Sequence, residues 1–227
     1  MAPPAGVRTC PGCGEGEDLL GDHAVCCPNN NSRKRHDNVA TMVAQIVQTS
    51  GITVAREVAC PIQPGDMLDG VQRPRPADVM ASMGATGRVA VDIAVVHPLI
   101  PSDSHTPASA KRAIPTAEKA KVRRYGDITA RALWEFIPFV CSTYGAVGTE
   151  ARGFLVRVTA FREAAHSTQS QVELRRVSPA DGDREGDILS LMMQQVSVAV
   201  AKGVTLQLLQ KFSPRLEFDE TGCNQSD

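Results

Sequence analysis

The chain has 227 residues, 42% of them hydrophobic, which is enough for one sizeable α/β core with a small appendage. A net charge of -1 excludes a global pull toward nucleic acid, so any such contact must come from local basic patches. The start, Met1 to Gly6, lacks the charged and apolar regions of a signal peptide, and four of the seven cysteines precede residue 28. A soluble protein in a reducing compartment is expected, with the cysteines binding metal rather than forming disulfides.

The first cluster is Cys10-Pro11-Gly12-Cys13, followed by His23-Ala24-Val25-Cys26-Cys27-Pro28. A Cys-x-x-Cys turn presents two thiolates to one ion, and His23 with Cys26 or Cys27 on a short helix closes a tetrahedral zinc site. So small a knuckle, residues 1–30, has little apolar core and relies on its metal for stability.

Arg33-Lys34-Arg35-His36 opens a helix running to Thr49, in which Val39, Met42, Val43, Ile46 and Val47 repeat at three and four. Its basic start is a candidate contact for DNA phosphates, competing with the reading as a solvated helix end. Gly51 ends this helix, and Ile52 to Cys60 reads as the first strand. Glu57 on that strand is a candidate third metal ligand, or else an exposed glutamate paired with Arg56 or Arg88. Pro61 to Pro76 is a Pro-, Gly- and Asp-rich loop long enough to shape a substrate groove.

Ala77-Asp78-Val79-Met80 then reads as one strand of a hairpin, turned through Gly84 and Gly87 into Arg88 to Val96. Period two sets Val89, Val91, Ile93 and Val95 on one face and Ala90, Asp92, Ala94 and Val96 on the other, so a carboxylate stands among small residues. Asp78 on the neighbouring strand converges with Asp92 at one edge. Two close carboxylates repel unless a cation lies between them, and a hard oxygen cluster suits Mg²⁺ or Mn²⁺.

Phosphodiester hydrolysis also needs a group that orients water or offsets phosphate charge. Pro98 to Pro115 reads as a polar loop, with His97 and His105 as loop histidines, and a helix follows from Thr116 to Ala132. Helical spacing aligns Ala117, Lys121, Tyr125, Ile128 and Ala132, which places Lys121 on the inward stripe and Lys119 on the solvated side. A lysine on an inward stripe needs an anionic partner, so Lys121 is the stronger candidate and Lys119 the reserve. Lys111, Arg112, Lys119, Arg123, Arg124 and Arg131 make this the most basic part of the chain.

These residues together carry a resemblance. Arg75-Pro76-Ala77-Asp78, Asp92 within a strand, and Lys121 four residues before Tyr125 resemble the restriction-enzyme-like endonuclease domain of site-specific non-LTR retrotransposons, a PD-(D/E)xK nuclease. That family carries a Cys-Cys-His-Cys knuckle, a basic-residue-Pro-Asp motif, an acidic residue on the next strand and a Lys-x-x-x-Tyr helix. The resemblance covers about residues 10 to 165 and departs where Ala77 intervenes between Pro76 and Asp78. Ala94 stands where many such nucleases carry the lysine. By position, the family implies that Asp78 and Asp92 hold the divalent metal and that Lys121 acts in catalysis. Its knuckle spacing, with Pro28 following the cysteine, favours Cys27. It also implies a DNA-nicking enzyme in the nucleus, for which the basic runs offer Arg33, Lys34, Arg35, His36, Arg75, Arg123 and Arg124 as candidate nucleic-acid contacts. The nicked strand would prime reverse transcription of element RNA by a polymerase on the same or another chain.

Trp134 to Cys141 reads as the fourth strand. Ser142 to Gly148 is a turn whose glycines fit a close backbone approach better than a phosphate loop, and a helix runs on to His166. The expected architecture is an α/β, restriction-endonuclease-like core (α-β-β-β-α-β) over 31–166. A linker follows at 167–187, then an amphipathic C-terminal helix at 188–212 and a tail at 213–227. Gln194, Gln195 and Lys202 interrupt that last helix, so no membrane span is expected.

Overall fold

The computed structural model describes residues 9–16, 22–27, 29, 32–61, 75–83, 87–98, 107–173 and 184–212. The elements run α1 (Asp22–Cys26), α2 (Ser32–Thr49), β1 (Thr53–Val58), β2 (Ala77–Ser82), β3 (Arg88–Val96), α3 (Pro107–Arg131), β4 (Trp134–Ser142), α4 (Thr149–Glu173) and α5 (Arg184–Phe212). From α2 to β4 the order is α-β-β-β-α-β, as the sequence pattern predicts. The sheet is mixed, in the order β1-β2-β3-β4, with β1, β2 and β3 antiparallel and β4 parallel to β3 across the α3 crossover.

Alternation along the strands divides the core in two. Val79, Ala81, Val89, Val91, Ile93, Ile137, Phe139 and Cys141 pack against Val39, Val43 and Val47 of α2, Phe154, Leu155 and Val158 of α4, and Met192, Val196 and Val200 of α5. Met80, Ala90, Trp134 and Phe136 on the other face meet Tyr125, Ile128 and Ala132 of α3. The result is a sheet between a three-helix layer and a single helix. Phe139 and Phe154 meet edge to face at 6.5 Å in the larger core.

The α2 stripe ends where Gly51, at φ 82°, turns the chain into β1, the left-handed C-terminal position that glycine fills without a Cβ penalty. The predicted polar loop at 98–115 is partly wrong: α3 begins at Pro107 and carries Pro115 inside it. Pro107 suits a first helical turn, and the Ala-rich residues between the two prolines, with Lys111 and Arg112, keep helical propensity high enough to absorb Pro115. The predicted linker is shorter as well, since α4 continues to Glu173 and α5 starts at Arg184. Most of the loop at 61–76, His105 and the tail lie outside the described residues.

Within α5, Asp187–Leu209 is long and apolar enough by length and composition to cross a membrane. Its buried side, Met192, Val196, Ala199 and Val200, packs into the core. Gln194, Gln195 and Lys202 lie on the exposed side together with Leu191, Val198 and Leu209, so α5 buries one stripe and leaves a mixed polar and apolar face open. Gly203 lets α5 close on α2, since a Cβ there would come within 2.9 Å of the Arg35 backbone. Gly148 likewise sits against the Val140 carbonyl, the close approach expected of that turn.

Candidate functional site

The β2–β3 pairing runs from Ser82↔Arg88 to Val79↔Val91, and one further step in that register sets Asp78 opposite Asp92. Directly opposed residues share a face of the sheet with Cβ atoms roughly 5 Å apart, so the hairpin by itself forces two carboxylates together. Asp92 is 6% exposed, on the α3 side of the sheet with Ala90. Lys121 reaches it from the inward stripe of α3, with Nζ 2.5 Å from Oδ2.

Two further donors hold Asp78. The Ile93 amide donates to its Oδ2 at 2.6 Å, and His36 Nε2 lies 2.9 Å from the same oxygen. The other ring nitrogen of His36 is 3.1 Å from Asp37 Oδ1.

The electrostatics follow from these contacts. His36 is pushed up to about 9, chiefly by the hydrogen bond to Asp78, so the imidazolium is the favoured form at neutral pH. Burial raises the Asp78 carboxyl, but His36, the Ile93 amide and Lys121 outweigh it and hold Asp78 below the usual carboxylate range. Asp92 goes the other way. Burial lifts it to about 6, the nearby Asp78 adds to the lift, and Lys121 only partly offsets both.

The remaining candidates are placed less centrally. Lys119, Arg123 and Arg124 are exposed on the outer side of α3, with the Arg124 guanidinium 5.3 Å from the Tyr125 ring centre. Arg33, Lys34 and Arg75 are exposed. Glu57 is exposed on edge strand β1 at φ 52°, and no described contact joins it to either carboxylate, so a third-ligand role finds no support.

Arg35 corrects the expectation of a DNA contact: it is 7% exposed and turned inward. It lies four residues before Val39, on the buried stripe of α2, so helical periodicity carried back to the basic run would have shown this. His36, three residues before Val39, is drawn onto Asp78 for a related reason. Its contact with a strand 42 positions away has no signal in the sequence. His97 lies in the loop after β3 as expected, but its side chain is buried, with Nδ1 2.8 Å from Thr143 Oγ1 and Nε2 3.2 Å from Asp22 Oδ1.

A second site lies at the N-terminus. Cys10, Cys13, His23 and Cys27 bring their ligand atoms within 4.8 Å of one another, and could hold a metal ion such as zinc. Cys13 Sγ is 3.1 Å from His23 Nε2, and Cys10 Sγ is 3.6 Å from Cys27 Sγ. The fourth residue of the cluster is Cys27 and not Cys26. Cys27 is the residue just past α1, one turn beyond His23, whose carbonyl accepts its N–H at 2.8 Å. Among the described residues this is the group of three or more His, Cys, Asp or Glu side chains close enough to share one ion.

No protein-family model matches the chain, and no curated protein matches it in sequence.

Proposed function

We propose that the chain is a divalent-metal-dependent DNA endonuclease with a restriction-endonuclease-like core and a structural zinc knuckle. The convergence of Asp78, Asp92 and Lys121 from β2, β3 and α3 carries this reading.

The donor set suits a hard divalent ion. Two carboxylates are fixed in cross-strand opposition, and one of them is destabilised as an anion by burial and by the other. Asp78 and Asp92 would hold Mg²⁺ or Mn²⁺, which when bound supplies Lewis-acid activation of water and of the scissile phosphate. Lys121, already at the carboxylate edge, is placed to donate to a phosphate oxygen or to orient the attacking water. His36 and the Ile93 amide keep Asp78 oriented and ionised.

Lys111, Arg112, Lys119, Arg123, Arg124 and Arg131 are exposed along α3, and would offer positive charge to a DNA backbone. The motif resemblance extends the reading to nicking of a target site in the nucleus. There the new 3′-hydroxyl would prime copying of element RNA by a reverse transcriptase.

A nicking assay on supercoiled plasmid with Mg²⁺, Mn²⁺ or EDTA tests the proposal. Asp78→Ala and Asp92→Ala should abolish metal-dependent nicking, and Lys121→Ala should slow it by roughly 10²-fold or more. Nicking that survives both aspartate substitutions would sink the reading. Tight DNA binding without nicking by the wild type would favour a catalytically decayed, zinc-containing nucleic-acid-binding module. The exposed Glu57, which leaves the two aspartates without a third carboxylate among the described contacts, is the observation on that side.

A further inference from the structure

The knuckle is joined to the rest of the chain through buried and part-buried polar contacts that a loosely tethered finger would not need. Helix α1 has five residues, too few to be stable alone, and an ion held by the cluster at its flanks would supply order that its length cannot. From this helix, two routes lead to the sheet.

The first route starts at the Val25 carbonyl, between the ligands His23 and Cys27. It accepts from Gln207 Nε2 at 3.1 Å and from Arg35 Nη1 at 3.4 Å, and Arg35 in turn donates to Gln207 Oε1 at 3.2 Å. Gln207 is 1% exposed and Arg35 7%. The next residue after Arg35 is His36, which holds Asp78.

The second route starts at Asp22, beside the ligand His23. Its Oδ1 accepts from Tyr144 Oη at 2.9 Å and lies 3.2 Å from His97 Nε2. His97 directly follows β3, the strand of Asp92, and reaches Thr143 at the end of β4.

Arg35 adds a charge argument. Among the described residues no carboxylate partners it, and its Nε has no hydrogen-bond acceptor. A buried cation without an anion is costly. Three thiolates around a divalent ion with one neutral imidazole leave one net negative charge, and that charge would sit beside the backbone that Arg35 touches.

We propose that the ion at Cys10, Cys13, His23 and Cys27 braces the sheet that carries Asp78 and Asp92. Arg35 serves as its buried counter-charge, and α1 is the strut. The proposal concerns folding and site geometry, so it stands or falls independently of whether the chain cuts DNA.

Full-length protein loaded with Zn²⁺ or Co²⁺ tests it. An ion held at about a thousandfold its dissociation constant should raise the Tm of the whole core by about 8 to 16 °C, and chelation should remove that gain. Chelation should also speed hydrogen exchange at the Ile93 and Thr143 amides. In a Gln207→Met/Tyr144→Phe variant whose Co²⁺ spectrum remains tetrahedral, the chelation shift in Tm should fall to less than half of the wild-type value. Arg35→Met should weaken Co²⁺ binding roughly 10- to 100-fold. An unchanged core Tm and unchanged Ile93 exchange on chelation would overturn the proposal. So would a chelation shift in the double variant equal to that of the wild type.

Discussion

Replacing His36 with Gln isolates the contact that fixes Asp78. Glutamine keeps a donor within reach but cannot carry charge. In the folded protein His36 is raised from 6.5 to about 9 by Asp78, with Asp37 adding to the effect. A rise of that size is worth roughly 3 kcal/mol at most. The side chain is 28% exposed, so solvent screening reduces the expected value to about 1 to 2 kcal/mol. Because the folded pKa lies above the unfolded one, this stabilisation is complete below about pH 6.5 and is lost as pH rises through about 9.

The assay is thermal unfolding of zinc-loaded wild type and His36→Gln from pH 6 to pH 10, without Mg²⁺ or Mn²⁺. The wild type should lead by about 3 to 6 °C near pH 6, and the two curves should merge near pH 10. Groups common to both proteins cancel in the difference. A gap that stays constant over this range would refute the electrostatic account and leave only packing.

Four other outcomes are expected. Asp92→Asn removes a buried carboxyl raised to about 6. Its stability relative to the metal-free wild type should therefore be greatest above pH 6 and shrink as pH falls toward 4, read by urea unfolding against pH. Cys27→Ser should lose tetrahedral Co²⁺ absorption, whereas Cys26→Ser should keep one ion per chain by metal analysis. Glu118→Ala should cost about 0.5 to 2 kcal/mol by denaturant unfolding, because this buried carboxylate of α3 caps the N-terminus of α4 through the Glu150 amide at 3.2 Å. Gly203→Ala should cost about 1 to 3 kcal/mol in the same assay, since its Cβ meets the Arg35 backbone, which cannot yield as a side chain would.

Much of the site was legible because its signals are local. Two-residue periodicity in 88–96 separates Asp92 from the valines. The hairpin through Gly87 brings Asp78 opposite it, and helical spacing turns Lys121 inward and Lys119 outward. The Cys-x-x-Cys turn with His23 announces a metal cluster for the same reason, since the ligand spacing is covalent. Element order followed from these patterns, while element ends did not, because Pro107 and Pro115 could each have opened α3.

What the tertiary structure decided involves partners far apart in the chain. His36 meets Asp78, Arg35 meets Gln207, and Asp22 meets both His97 and Tyr144 only once α2, α5 and the ends of β3 and β4 are packed together. No periodicity encodes such pairs. The sequence alone could therefore point to the carboxylates, the lysine and the metal cluster, with Cys26 and Cys27 left as alternatives for its fourth residue. Their protonation preferences, and the seating of the knuckle against the sheet, depend on burial and distance, which exist only in the folded chain.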